Sequence, residues 1–240
     1  MRLAPGSRCL VFGLGARHFK LPLSAGALRG LSREQRGEIL ALGDPFWAPY
    51  VLPARYCGGF LKFAARGADT VTDAAMSRIQ SDLRQRTSAL ALAKGSWAHL
   101  FSRVLSLVAT KDGWEARLDQ VFAGEARASM HGDFCRTNCL DLDNRLFLID
   151  WGNFRPEFWA PYDLLHCDVI EQVEQSGDSW VDCLRGLIAD GRINRPRAAR
   201  YLVCRCELEG DQDFALGRLT DRRRRKYADS LSWARDELIE

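Results

Sequence analysis

The chain has 240 residues, of which 47% are hydrophobic and 27% charged, and its formal net charge is +3 at pH 7. These proportions are ordinary for a soluble globular protein, and the length suffices for one large domain or two small lobes. They exclude a largely disordered chain, and so small a net charge gives no support for nucleic-acid binding.

The eight cysteines and four histidines do not follow the paired spacing of a zinc site. A chain of this size buries a core without disulfides, so we expect reduced cysteines in or near the core. The apolar run Cys9–Ala16 is short, lies between Arg8 and Arg17 and lacks a cleavage site, so we do not interpret it as a signal peptide. No stretch approaches the roughly 18 apolar residues of a membrane span. The sequence therefore predicts a soluble, cytoplasmic protein.

The first quarter of the chain is predicted to be rich in strands. Two strand-like segments, Arg8–Phe12 and His18–Leu23, are joined by the turn Gly13–Gly15 and predict a hairpin. A helix is expected to begin at Ser32, a good N-cap residue, and to end before Pro45, because proline cannot continue a helix.

The remainder of the chain is mostly helical by pattern. Apolar pieces broken by proline and glycine predict two more strands, and helical spacing of apolar residues predicts several helices. The segments are strands within 47–63, helices at 73–93, 97–107 and 114–122, a strand pair at 140–142 and 146–149, and helices from residue 162 onward. This order predicts a two-lobed α+β protein with a cleft between residues 1–66 and residues 67–240.

Two polar clusters stand on either side of the predicted strand pair. The first is His131–Asn138, which reads His-Gly-Asp-Phe-Cys-Arg-Thr-Asn, and the second is Asp150 at the end of an apolar strand. Magnesium prefers one or two carboxylates, with water and phosphate oxygens at its other positions. Phosphoryl transfer also needs a carboxylate that orients the attacking hydroxyl. The clusters therefore indicate a phosphotransferase.

His131-Gly-Asp-x-x-x-x-Asn138 followed by Ile149-Asp-Trp151 resembles the catalytic and metal loops of the aminoglycoside phosphotransferase and choline kinase superfamily, relatives of the protein kinases. The resemblance implies a protein-kinase-like fold in an α+β protein. It implies that Asp133 is the catalytic aspartate, that Asn138 and Asp150 bind the metal ions, and that His131 holds the loop in shape. Asp163, in Tyr162-Asp-Leu-Leu-His166, would brace the catalytic loop from a helix.

The same resemblance implies a lysine on a strand of the first lobe that anchors the nucleotide phosphates and pairs with a helix glutamate. Lys62 lies too close to His131 to leave room for the intervening elements, so Lys20 is the better candidate. Glu34 and Glu38 both follow on one predicted helix face. The choice between them stays open, with a slight preference for Glu38 on its distance from Lys20.

The first lobe is expected to be abbreviated. A glycine-rich loop over the nucleotide should stand well upstream of the lysine, yet Gly13 and Gly15 suit the turn into the lysine strand instead. Few residues precede them, including Pro5-Gly6-Ser7. The loop that would cover the nucleotide phosphates is therefore either absent or replaced by another segment.

Several residues near the motifs leave two roles open. Arg136 suits either a phosphate contact or a salt bridge that orients the loop, and Cys135 is either an inert or a reactive thiol. The basic run Arg222–Lys226 is either a solvated helix face or a surface for an anionic substrate or peripheral membrane contact. Three tryptophans are either core residues or lining for a sugar or choline-like acceptor. They are Trp151, Trp159 and Trp180.

These features together predict an ATP- or GTP-dependent and Mg²⁺-dependent phosphotransferase. Its partners would be the nucleotide and a small molecule with a hydroxyl, such as a sugar, an aminoglycoside-like or choline-like compound, or an envelope glycolipid precursor. A weakly active or inactive kinase-like binding module is the alternative, because a fold does not imply a function. A protein-serine/threonine kinase is a further alternative.

Overall fold

Five short strands form an antiparallel sheet in the N-terminal part of the protein. They are β1 (Arg2–Ala4), β2 (Cys9–Leu14), β3 (Arg17–Pro22), β4 (Ala54–Cys57) and β5 (Phe60–Ala64). Their order across the sheet is β1-β2-β3-β5-β4. The computed structural model describes residues 2–4, 9–14, 17–52, 54–57, 60–64, 71–108, 113–142 and 145–239.

Lys20 lies on β3, the central strand, where it is in register with Val11 of β2 and Leu61 of β5. The predicted hairpin is confirmed, although β2 continues through Leu14, and Gly15 lies outside the described residues. β4 and β5 confirm the two further strands. Strand β1 was not predicted, because a segment of three residues is too short to show the alternation of apolar and polar residues. Residues 5–8, which join β1 to β2 where a glycine-rich loop is expected, also lie outside the described residues.

The helix α1 (Ala25–Leu42) begins earlier than predicted. Its N-cap is Ser24, whose hydroxyl accepts a hydrogen bond from the N–H of Ala27 at 3.1 Å. Ser32 lies inside the helix and donates to Leu28 O at 3.1 Å, so the predicted N-cap is wrong. The first turn is rich in alanine and glycine and shows little periodicity, and burial of Ala27 and Leu31 supplies the stabilisation that the pattern does not reveal.

Helices form most of the rest of the protein. They are α2 (Asp73–Ala89), α3 (Ser102–Leu107), α4 (Trp114–Val121), α5 (Tyr162–Ser176), α6 (Trp180–Ala189), α7 (Arg195–Ala215) and α8 (Asp221–Trp233). The predicted helix at 97–107 divides into a 3-10 turn, Ala98–Phe101, and α3. The helix predicted to reach residue 93 ends at Ala89. Within the described ranges, we find no helix that combines the length and the apolar character of a membrane span.

Two strand pairs and a small buried cluster position the polar motifs. β6 (Arg127–Met130) pairs with β9 (Arg155–Trp159), and β7 (Cys139–Leu142) pairs with β8 (Arg145–Leu148), which confirms the predicted strand pair. A hydrophobic cluster lies beneath the β7–β8 hairpin and joins it to α1 and α2. A larger cluster fills the helical part. A small sheet followed by packed helices confirms the predicted α+β class.

The cysteines agree with the sequence expectation. All eight are free thiols, and all but Cys57 are buried. Burial raises the pKa of Cys135, although its hydrogen bond with Thr137 opposes the shift. A thiol held neutral in this way is a poor nucleophile, which favours the inert role for Cys135.

Glu207 of α7 is buried beneath the start of α3, where it is 4% exposed. Its carboxyl group accepts hydrogen bonds from the N–H groups of Arg103 at 3.1 Å and Val104 at 2.7 Å. These are unpaired donors of the first helical turn, so Glu207 caps α3 from another helix. Burial raises the pKa of Glu207 from 4.5 to about 7, against the effect of the two hydrogen bonds.

We expect Glu207 to make the protein less stable as the pH rises from about 4.5 to about 7. In this window the unfolded chain releases the proton and the folded chain retains it, so unfolding becomes easier, by up to about 3 kcal/mol at 1.36 kcal/mol per pKa unit. Urea unfolding of wild type and Glu207→Gln across this window measures the effect, with the exposed Glu115→Gln as control. The wild type and Glu115→Gln should lose stability more steeply than Glu207→Gln; parallel pH profiles for all three would refute the assignment.

Candidate active site

The loop that follows β6 is held from below by a buried carboxylate. Asp163, 1% exposed at the start of α5, accepts hydrogen bonds from the backbone N–H groups of His131 at 2.7 Å and Gly132 at 2.9 Å. The fully buried ring of His131 donates from Nε2 to Ile149 O at 3.0 Å and accepts from Asp133 N at 3.3 Å. The loop is therefore tied both to α5 and to the residue before Asp150.

Gly132 brings this loop into close contact with the turn that follows β8. Its φ angle is +83°, a region that favours glycine. A Cβ atom here would lie 2.4 Å from Asn153 O, so no side chain fits without moving the backbone. The two motifs therefore meet at a point where the backbone leaves no space for a side chain.

Asp133 is the carboxylate that the loop presents to solvent, with 32% of its side chain exposed. Its Oδ1 accepts from His166 Nε2 at 3.1 Å and lies 3.7 Å from Arg205 Nη1. Burial opposes ionisation of Asp133, but the hydrogen bond from His166 and the positive charge of Arg205 outweigh it and hold its pKa well below the usual range. Asp133 is therefore an ionised hydrogen-bond acceptor at neutral pH.

The side-chain amide of Asn138 turns its nitrogen toward Asp133 and its oxygen away from it. Its Nδ2 donates to Asp133 O at 2.8 Å and to Asp133 Oδ2 at 3.1 Å, and both of these atoms are acceptors. The amide orientation is fixed by these contacts, which leaves Oδ1 without a partner among the described residues. The backbone carbonyl of Asn138 accepts from Ile149 N at 3.0 Å, which sets the loop beside the strand that carries Asp150.

Asp150 follows β8 and begins the 3-10 turn Trp151–Asn153. Its φ is +63°, and no other non-glycine residue in the described part of the chain has a positive φ. Few residues other than glycine adopt the left-handed conformation, aspartate more often than most, and those that do are found preferentially at functional sites. The carboxylate is exposed, whereas the neighbouring Trp151 is 2% exposed and packs against His131, with ring centroids 4.5 Å apart. A buried tryptophan thus anchors the turn that presents Asp150.

The donor set formed by Asn138 and Asp150 fits a magnesium ion that also binds nucleotide phosphates. It consists of one amide oxygen and one exposed carboxylate on adjoining turns, and Mg²⁺ uses few protein ligands when water and phosphate complete its shell. No group of three or more His, Cys, Asp and Glu side chains that could hold a metal ion occurs in the described ranges. The residues present therefore suit a shared metal–nucleotide site.

Lys20 forms its ion pair with Glu34, at 2.5 Å between Nζ and Oε2. Burial alone would lower the pKa of Lys20, but the negative charges of Asp150 and Glu34 outweigh it and hold the pKa above its ordinary range. Lys20, Glu34 and Asp150 line one cavity of about 280 Å³ between the sheet, α1 and α7. A protonated lysine therefore shares a cavity with the exposed carboxylate.

The preference for Glu38 as the partner of Lys20 is wrong. The Glu38 carboxylate accepts hydrogen bonds from Tyr56 Oη at 2.8 Å and Ala54 N at 3.2 Å, so it joins α1 to β4 instead. The position of α1 decides this. A Cβ atom on Gly37 would lie 1.9 Å from Trp151 O, which shows how closely the helix packs on the turn after Asp150.

Arg136 forms the salt bridge that was one of its two predicted roles. Its guanidinium donates to Asp73 Oδ1 at 2.6 Å and to Val71 O at 2.9 Å, at the start of α2. This ties the loop His131–Asn138 to α2. The contact with phosphate stays a prediction.

Three residues around Asp133 were not singled out from the sequence. His166 is fully buried, donates to Asp133 and contacts Tyr201 Oη through Nδ1 at 3.0 Å. A carboxylate only accepts, so the neutral ring carries its proton on Nε2 and Tyr201 donates to Nδ1. His166 follows Asp163 by one helical turn, a spacing that could have revealed it. Arg205, far along α7, carries no local signal.

No protein-family model and no curated protein matches the sequence. Solved structures do match. The choline kinase LicA from Streptococcus pneumoniae is 15% identical, with 95% of this chain and 91% of LicA covered and a TM-score of 0.52. A choline/ethanolamine kinase family protein from Mesorhizobium loti is 17% identical, with 98% and 86% covered and a TM-score of 0.49. APH(2")-IIa, solved with gentamicin, is 15% identical, with 99% and 90% covered and a TM-score of 0.44.

The likeness to LicA extends over almost the whole of both chains, and it is consistent with the small sheet and the helical remainder described above. At 15% identity it bears on the fold. The chain has the protein-kinase-like fold of LicA, as the motif resemblance predicted.

Proposed function

We propose that the protein transfers a phosphoryl group from ATP or GTP to a hydroxyl group of a small molecule, with Mg²⁺ bound. One observation carries the proposal: the half-buried, ionised Asp133 lies in hydrogen-bond contact with Asn138, on a loop that packs directly on the turn of Asp150. In this proposal residues 1–66 cover the nucleotide and residues 67–240 carry the catalytic and metal loops.

The roles of the residues follow from their contacts. Asp133 accepts a hydrogen bond from the acceptor hydroxyl and orients its oxygen, because its ionised carboxylate is held in place by His166 and Asn138. Asn138 Oδ1 and Asp150 would hold the metal ion. Magnesium, when bound, neutralises charge on the nucleotide phosphates.

Lys20 contributes a fixed positive charge to the phosphates, and Glu34 positions it. Arg33, the neighbour of Glu34, donates to Gly152 O at 3.3 Å and to Asp211 Oδ2 at 2.9 Å, which keeps α1 against the turn of Asp150 and against α7. Catalysis would then consist mainly of positioning and charge neutralisation, as phosphoryl transfer requires.

Thermal unfolding with nucleotide and metal tests the proposal without knowledge of the acceptor. We expect ATP or GTP with Mg²⁺ to raise Tm, and the same nucleotide with EDTA to have little effect, because a ligand at 100 times its Kd adds about 2.7 kcal/mol of stability. Asp150→Asn should remove the metal-dependent part. Asp141→Asn on β7 is the matched control and should retain it. Absence of any metal-dependent stabilisation at millimolar nucleotide would overturn the proposal and favour a binding module without kinase activity.

A further inference from the structure

A second cavity, of about 770 Å³, lies between α6, α7 and α8. Two tryptophans line it, Trp180 at the start of α6 and Trp233 at the end of α8. Both are half-buried. The indole N–H of Trp233 is buried without a hydrogen-bond partner among the described residues. Aromatic walls with a few polar groups are typical of small-molecule sites.

The charge of this cavity is predominantly positive. Its basic lining residues are Arg185, Arg205, Arg222, Arg225 and Lys226, and its acidic ones are Asp178, Glu209 and Asp229. Glu209 is already paired with Arg205 at 2.7 Å. Arg185 is likewise paired with Asp182 at 3.3 Å. The lining charges outside these two pairs are the three cations Arg222, Arg225 and Lys226 and the two carboxylates Asp178 and Asp229. An anion that enters the cavity would therefore meet a small excess of positive charge.

The basic side chains of α8 have two different surroundings. Arg222, Arg225 and Lys226 are spaced three and four residues apart, so they share one helix face, and that face borders the cavity. They make no salt bridge with any of the described residues. Arg223, by contrast, is paired with Asp213. The cavity side of α8 thus presents three cations without a salt bridge, together with the carboxylate of Asp229.

One side chain of the cavity wall, Arg205, also lies beside Asp133. Its Nη1 is 3.7 Å from Asp133 Oδ1. Trp180 stacks on the same guanidinium at 4.7 Å, and its ring centroid lies 6.0 Å from that of His166, which is hydrogen-bonded to Asp133. Asp133 itself does not line the cavity, so an acceptor held by Trp180 and Arg205 must extend beyond it for its hydroxyl to reach Asp133.

We propose that this cavity binds the acceptor, and that the acceptor is an anionic hydroxylated molecule such as a sugar bearing a phosphate or carboxylate group. The proposal rests on the phosphotransferase function proposed above. Arginine side chains bind phosphate and carboxylate groups through paired N–H donors, and tryptophan faces supply the apolar contact. A cationic acceptor would be repelled by the uncompensated charges of α8.

Direct binding tests the acceptor class independently of nucleotide and turnover. Trp180 and Trp233 line the cavity, so intrinsic fluorescence titration can report ligand entry. The probes are glucose 6-phosphate, glucuronate, glucose and choline, added without nucleotide. Arg225→Glu/Lys226→Glu is the test variant, and Arg224→Glu is the control, because Arg224 is exposed on the same helix and does not line the cavity.

We expect the two anionic probes to bind the wild type at least tenfold more tightly than glucose or choline. The double variant should lose this preference, and Arg224→Glu should retain it. Equal binding of neutral or cationic probes, no binding of either anion, or an unchanged preference in the double variant would overturn the proposal. Binding to phosphatidylglycerol vesicles is measured as well. If the wild type binds these vesicles and both variants lose this binding equally, the basic residues face a membrane and the proposal is overturned.

The failure of this proposal and that of the phosphotransferase function give different results. If the acceptor class is wrong, the anion preference disappears while the Mg²⁺-dependent nucleotide stabilisation persists. If the function is wrong, the nucleotide stabilisation is absent whatever the sugar probes do.

Discussion

Asp133→Asn is expected to lower kcat by about 10²-fold to 10⁴-fold with little change in nucleotide affinity, the usual contribution of a side chain that takes or orients a reacting proton. The amide keeps the size of the side chain but places an N–H group or a neutral oxygen where the hydroxyl donates. It also disturbs the contacts of Oδ1 with His166 and of Oδ2 with Asn138. The measurement is steady-state phosphorylation of the best acceptor found in an anionic, neutral and cationic panel.

Asp141→Asn serves as the matched control for this experiment, since it makes the same chemical change on β7 of the adjoining hairpin. Nucleotide binding is measured in parallel by thermal shift, which separates loss of catalysis from loss of folding. Turnover by Asp133→Asn at the wild-type rate would contradict the mechanism. Equal losses in both variants would indicate a structural effect in place of a catalytic one.

Lys20→Met is expected to lower kcat/KM for the nucleotide on the order of 10²-fold, comparable to the loss of one preorganised donor in other active sites. Methionine retains most of the aliphatic length and removes the charge. Glu34, 6% exposed, then lacks its cation and is expected to take up a proton, because burial disfavours the charged form. This uptake limits the loss of stability, so the effect should be seen chiefly in kinetics.

Two glutamate variants show whether the ion pair itself matters. Glu34→Gln should weaken nucleotide binding in the same direction as Lys20→Met, because the amide no longer attracts the ammonium group. Glu38→Gln lies one turn further along α1 and should leave nucleotide affinity close to that of the wild type, because its partners are Tyr56 and Ala54. A larger effect of Glu38→Gln than of Glu34→Gln would contradict the pairing.

The two polar loops, His131–Asn138 and the turn of Asp150, could be placed on either side of a strand pair from the sequence because their order and spacing are local; their catalytic and metal-binding roles stay predictions. His131–Asn138 and Asp150 are separated by one short hairpin, and one hydrogen bond that shapes the first loop, between Asn138 and Asp133, is local. The hydrogen bonds of His131 and Gly132 with Asp163 of α5 are not. The strand that carries Lys20 was predictable because alternation and a glycine turn act within one hairpin.

Helices and strands whose residues show little hydrophobic periodicity were predicted less accurately. The first turn of α1 and the three-residue strand β1 depend on burial against other parts of the protein, which no short window of sequence reports. Trp151 and Trp159, two of the three candidates for an acceptor pocket, are core residues with at most 2% exposure. Trp180 alone among them lines the cavity proposed for the acceptor.

The sequence by itself determined the α+β class, the order of the loops that carry Asp133 and Asp150, and the strand that carries Lys20, because these depend on contacts between residues close in the chain. Only the tertiary structure decided which glutamate meets Lys20 and which residues surround Asp133. Glu34 and Glu38 share a helix face, so the choice depends on how far α1 is shifted along the turn at Trp151, and close contact at Gly37 fixes that shift. Arg205 and His166 reach Asp133 from α7 and α5. Such contacts follow from the packing of whole helices, which the local pattern of a sequence does not encode.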